Sequence, residues 1–313
     1  MAIWIGLGLM ALAFWGGLLW RLAPPRMLDD AAFAAAYATP LPPPEGGIRV
    51  YHLGHSLVGR DMPAMLAAAG GHGWNSQLGW GASLKSHLDG TVPGFAEENA
   101  TPAFRPADEA AASADYPVFV LTEMVELKDA IRYHDSAAAL AEWARRIRAA
   151  NPGARIYLYE TWHRTDDPAG WLERIDGDLA LLWEGRLLRP AMAAPGVGTI
   201  HVIPGGQVMA AVMREAEAGR IPGVNGREDL LSDEIHFSDL GAWVMAMTHF
   251  AVIHGRSPLG LPHVLPKADG TPGGAPSEPA ARAIQEVVWR VVTSYAATGV
   301  ARRDGLPPVM QDG

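Results

Sequence analysis

The chain has 313 residues, 49% hydrophobic and only 19% charged, which excludes an intrinsically disordered protein and allows one large α/β domain or two small ones. A formal net charge of −9 argues against a nucleic-acid partner, for which a basic stripe is expected. The absence of cysteine removes disulfides, thiolate metal sites and a cysteine nucleophile, without fixing the compartment.

The first twenty residues, "MAIWIGLGLMALAFWGGLLW", contain no charged side chain, and their number matches the thickness of a bilayer core. Trp4 and Trp20 sit near the ends, where interfacial aromatics are expected. Residues 1–22 therefore read as an uncleaved membrane-anchoring helix. The rival, a cleaved signal peptide, would call for a basic leader and an A-x-A-like site before "RLAPPR". Arg21 and Arg26, offset by Asp29 and Asp30, leave the orientation open.

Residues 23–47 combine an alanine-rich piece, a candidate short helix, with "PLPPPEGG", which reads as a stiff linker. The folded domain is expected over 48–300, with a tail at 301–313. Its first strand is "IRVYHL", followed by the helix "DMPAMLAAAGG" with a glycine stop at Gly70-Gly71. "WNSQLGW", "YPVFVLT", "ARIYLYET" and "GTIHVIPGG" read as further strands. Between and after them lie helices. "DSAAALAEWARRIRAANPG" is one. A second is expected to start with Asp167 as N-cap and Pro168 at the first helical position, and a third is "QVMAAVMREAEAG". Residues 266–279 read as a loop, and about Ala280 to Tyr295 as a packing helix. Strands alternating with helices predict a mainly parallel sheet covered on both faces, with ligands beyond the carboxyl ends of the strands.

Ser56, in "VYHLGHSLVG", falls just past the first strand. It either caps the following helix or stands on the functional rim as a nucleophile. A serine hydroxyl needs a base, usually a histidine oriented by a carboxylate. "LLSDEIHFSDLGAW" supplies both: Asp233 and His236 are three residues apart and can face each other in one turn, with Ser238 placed to cap the next helix.

Gly-His-Ser-Leu after the first strand, with Asp-x-x-His before a late helix, resembles the SGNH (GDSL-like) hydrolases over roughly residues 48–256. The resemblance implies a flavodoxin-like three-layer α/β/α sandwich and a serine esterase working through an acyl-enzyme. In it Ser56 is the nucleophile, His236 the general base and then acid, and Asp233 the orienting carboxylate. No metal or organic cofactor is implied. Oxyanion donors would be the backbone N–H of Ser56 and that of Gly81 (Gly79 being the alternative). The superfamily's third donor, an asparagine, has no counterpart: the sequence reads Thr122-Glu123-Met124. Thr122 offers a hydroxyl there, while Glu123 cannot donate unless protonated.

Other rim residues are weighed against blander roles. Glu160, Trp162 and His163 are pocket candidates or parts of a polar loop with Trp162 in packing; the second is preferred. His55 is a pocket candidate. His52 and His55, three apart in a strand, point to opposite faces, which argues against a metal. His87 and His134 read as surface or loop residues. The expected partners are a small-molecule or saccharide ester, such as acetyl groups on an envelope polymer, and the membrane itself. The resemblance favours its periplasmic or extracellular face. A non-catalytic carbohydrate- or envelope-binding protein, or an acyltransferase using the same triad, is the alternative.

Overall fold

The computed structural model describes residues 26–44 and 46–301, so the expected membrane helix at 1–22 and nearly all of the tail lie outside the described residues. Among the described residues no helix is long and apolar enough to cross a membrane.

Five strands, β1 (Arg49–His55), β2 (Gly73–Gly79), β3 (Val118–Leu121), β4 (Arg155–Glu160) and β5 (His201–Pro204), form one parallel sheet in the order β2-β1-β3-β4-β5. The main flanking helices are α1 (Asp61–Gly70), α2 (Ser136–Ala150), α3 (Gly205–Glu217), α4 (Asp239–His254) and α5 (Glu278–Ser294). Successive strand residues face opposite ways, and this alternation divides the core in two. Val50, Val118, Val120, Tyr157, Tyr159 and Ile203 join the side chains of α1, α3, α4 and α5. Tyr51, Leu53, Phe119, Leu121, Ile156, Leu158 and Val202 pack with Leu140, Trp143 and Ile147 of α2 on the other face. Both faces being covered explains why β3, VFVL, reads as an unbroken apolar run.

Local chemistry sets several boundaries. Gly71, at φ +65°, ends α1 in the left-handed conformation that glycine adopts without steric cost. Ser238 caps α4 by accepting the N–H of Gly241 at 3.2 Å. Helix α4 is buried from Leu240 to His254, as befits a helix apolar on all sides.

Three expectations change. The helix expected to start at Asp167-Pro168 starts at Trp171. Asp167 to Gly170 instead form a turn closed by Gly170 N–H to Asp167 O at 3.0 Å, with aspartate first, proline second and glycine fourth, as a type I turn favours. The 266–279 loop contains a strand, Pro272–Gly274, antiparallel to Val264–Pro266. Gly274 makes the pairing possible, since a Cβ there would stand 2.0 Å from the carbonyl oxygen of His263. Finally, part of the expected linker is seated on the domain. The short helix expected in the alanine stretch forms at Asp30–Ala36, but Phe33 and Tyr37 are buried, and the Tyr37 hydroxyl donates to the Ile200 carbonyl at 2.7 Å.

Candidate active site

Parallel pairing brings three loops to one edge. His55 is in register with Gly79 of β2, and Leu53 with Leu121 of β3, so Ser56 emerges between the loop carrying Gly81 and the loop carrying Glu123. This is where chain connections diverge to either side of β1, the usual place for a ligand in such sheets.

Ser56 is not a helix cap. Helix α1 begins five residues later, at Asp61, and has no side-chain cap. The hydroxyl instead lies 3.0 Å from His236 Nε2. His236 Nδ1 lies 2.7 Å from Asp233 Oδ2. Asp233 Oδ1 also accepts the backbone N–H groups of Ile235 and His236, at 2.8 and 2.7 Å. These bonds, that of the His236 backbone foremost, hold the Asp233 carboxyl down at about 2. An ionised carboxylate only accepts, so Nδ1 carries the proton and Nε2 presents its lone pair to the serine O–H.

The turn bearing His236 is fixed from outside as well. Trp162, fully buried, donates its indole N–H to the Ile235 carbonyl at 2.8 Å, and Thr165 N–H donates to Glu234 O at 2.8 Å. Trp162 is thus a brace and not a stacking platform, in keeping with the packing role preferred from the sequence.

Two buried imidazoles secure the nucleophile's backbone. Leu57 N–H donates to His55 Nδ1 at 3.3 Å, so the His55 proton sits on Nε2, 2.8 Å from the Glu123 carbonyl. His87 is buried, contrary to its surface assignment. The side-chain Nε2–H of Gln77 donates to His87 Nδ1 at 2.9 Å, leaving His87 Nε2–H to bond the Gly54 carbonyl at 3.0 Å. Burial pushes both imidazoles down to about 4.

The remaining pocket candidates face inward. Thr122 spends its hydroxyl on the Tyr159 carbonyl at 2.7 Å and cannot serve as an oxyanion donor. Glu160 is buried and accepts the N–H groups of Gly206 and Gln207 at the start of α3, at 2.8 and 3.2 Å. Glu123 is buried too, its Oε1 accepting from Leu84 N and Met124 N. His55, Thr122, Glu123, Glu160 and Trp162 are therefore structural neighbours of the site, none of them an open pocket wall. Gly81, at φ +54°, borders a shallow cleft of about 300 Å³ that Ser83, Lys85, Met124 and His134 also line.

In sum of geometry, the chain is an α/β protein with a parallel five-stranded sheet and a Ser-His-Asp constellation at its carboxyl edge. A crystal structure of a DUF4886 family protein from Bacteroides uniformis is similar in fold, with a TM-score of 0.52 and 18% identity, covering 79% of this chain and 95% of that one. No protein-family model matches the sequence, and no curated protein matches it.

Proposed function

We propose that the chain is a serine ester hydrolase of the SGNH-like kind on a flavodoxin-like three-layer sandwich. The observation that supports this best is the 3.0 Å approach of His236 Nε2 to Ser56 Oγ, with Asp233 behind the imidazole. Ser56 Oγ attacks the ester carbonyl carbon while its proton passes to His236 Nε2. The tetrahedral intermediate collapses, the C–O bond to the alcohol breaks, and His236 returns the proton to the departing alkoxide oxygen. Water then attacks the acyl-enzyme with His236 as base, releasing the acid and restoring Ser56. Backbone N–H groups of Ser56 and Gly81 are the proposed oxyanion donors, and no cofactor enters this chemistry. The proposed substrates are small acyl esters, such as acetyl groups on a saccharide, met at a membrane surface through the N-terminal segment.

The sequence Thr122-Glu123-Met124 where the superfamily carries its asparagine, with the Thr122 hydroxyl engaged by the Tyr159 carbonyl, favours a second reading, a binding protein without turnover. A fluorophosphonate probe separates the two. Labelling of wild type but not of Ser56→Ala, together with turnover of acyl esters, supports the hydrolase. Wild type inert to both supports the binder. Product analysis with an added sugar acceptor distinguishes hydrolysis from acyl transfer.

A further inference from the structure

Glu123 is a carboxylate buried at the carboxyl end of β3, next to the candidate site yet without a role in the proposed chemistry. Burying such a group costs several kcal/mol unless hydrogen bonds replace its water. Two bonds do so at one oxygen. Oε1 accepts the N–H of Leu84 at 3.2 Å and that of Met124 at 2.8 Å.

The donors come from opposite sides of Ser56. Leu84 is the first residue of the short helix Leu84–Asp89, three residues beyond Gly81 on the loop that follows β2. Met124 belongs to the loop that follows β3. Both loops border the cleft beside Gly81. The main chain of Glu123 makes the third connection, its carbonyl accepting His55 Nε2–H at 2.8 Å, one residue before the nucleophile. A single residue therefore ties the Gly81 loop, the β3 loop and the strand end that bears Ser56.

We infer that Glu123 is a positioning residue of the oxyanion corner: it fixes the Gly81 loop relative to Ser56 by accepting two backbone N–H groups, and donates nothing to the substrate. In so far as the Gly81 amide is the oxyanion donor, this rests on the hydrolase reading. A carboxyl group suits the task because its Oε1 accepts both N–H groups at once. A carboxamide oxygen in the same place accepts the same two, which makes Glu123→Gln the informative conservative variant.

The test uses the full-length protein and the variants Glu123→Gln and Glu123→Ala, with Glu123→Met in place of the alanine variant should that one not fold. Kinetics on an acyl ester are read together with hydrogen exchange at the Leu84 and Met124 amides. Removal of the acceptor is expected to lower kcat about 100-fold, the scale of losing one oxyanion donor, with KM changed less than twofold and faster exchange at both amides. Glu123→Gln is expected to keep at least a third of wild-type kcat and wild-type exchange. Wild-type kcat in the acceptor-free variant, or a Gln variant as impaired as Ala, overturns the inference. Should wild type itself turn over no ester and resist the fluorophosphonate, the hydrolase reading fails separately. The exchange data then decide the positioning role, and unchanged protection in the acceptor-free variant overturns it.

Discussion

Ser56 Oγ and His236 Nε2 meet at 3.0 Å across 180 residues of chain, and the turn that delivers the imidazole is held at both ends. Asp233 supplies the inner hold, bonding two backbone N–H groups and Nδ1–H of the same turn. Asp233→Asn leaves the shape of the carboxylate but can present an N–H to Nδ1, which favours the wrong imidazole tautomer. Its kcat is expected to fall on the order of 10³–10⁴-fold, with little loss of thermal stability because Asp233 is exposed and His236 only half-buried. Steady-state kinetics beside a melting curve check this. A kcat within tenfold of wild type contradicts the assigned role of Asp233.

Trp162 supplies the outer hold. Trp162→Phe keeps most of the ring in its place beside Phe237 but removes the donor to the Ile235 carbonyl. Leaving a carbonyl short of its partner costs about 1–3 kcal/mol, part of which returns as freedom of the His236 turn. The rate of fluorophosphonate labelling is expected to drop about tenfold. An unchanged labelling rate would show that the turn holds itself.

The buried titratable groups set how stability varies with pH. His55, His87, His201, His249 and His254 are pushed by burial from an ordinary 6.5 down to about 4. As pH falls from 6.5 towards 4 the unfolded chain takes up protons that the native chain refuses, so these groups cost stability on the acid side. Glu123 and Glu160 are pushed the other way by burial, from 4.5 to about 7 and about 8. Their protonated forms favour the native state, and that contribution is lost as pH rises from 4.5 through 7 and 8. The histidines outnumber the glutamates below 6.5 and fall silent above it, which puts the expected maximum of Tm near pH 6.5. Differential scanning calorimetry across pH 4–9 locates it. Glu160→Gln is expected to flatten the alkaline side, and a Tm still rising from pH 7 to 9 in wild type would refute the assignment.

How far the sequence reached depends on the range of each interaction. The strands, their alternation with helices and the Asp233-x-x-His236 turn are local patterns, and each stands where its residues indicated. The Ser238 cap is equally local. Trp162, Glu123 and His87 find their partners in backbone groups 73, 39 and 33 residues away. The partners of Glu123 and His87 come within reach only once β1 lies between β2 and β3, and that of Trp162 only once the His236 turn folds over the end of β4, so no motif announces them. His87 reads as a surface residue in the sequence because its helix spans only Leu84–Asp89, too short to show a buried face. Asp167-Pro168 is a turn and not a helix start for a different reason: aspartate then proline opens a type I turn as readily as a helix, and Gly170 decides for the turn.

Gly54 offers the sharpest test of how the strand end sets the nucleophile. A Cβ at this position would stand 2.4 Å from Cγ2 of Thr122. Thr122 cannot swing aside without breaking its 2.7 Å bond to the Tyr159 carbonyl. The backbone of β1 must therefore shift, two residues before Ser56 and at the carbonyl that His87 holds. Gly54→Ala is expected to lose about 1–3 kcal/mol of stability, the usual cost of overpacking a core, and to slow fluorophosphonate labelling at the same time. The second substitution Thr122→Ser removes Cγ2 and keeps the hydroxyl, so the double variant is expected to regain most of both losses. Recovery of stability without recovery of labelling would mean that Ser56 is placed by something other than the end of β1.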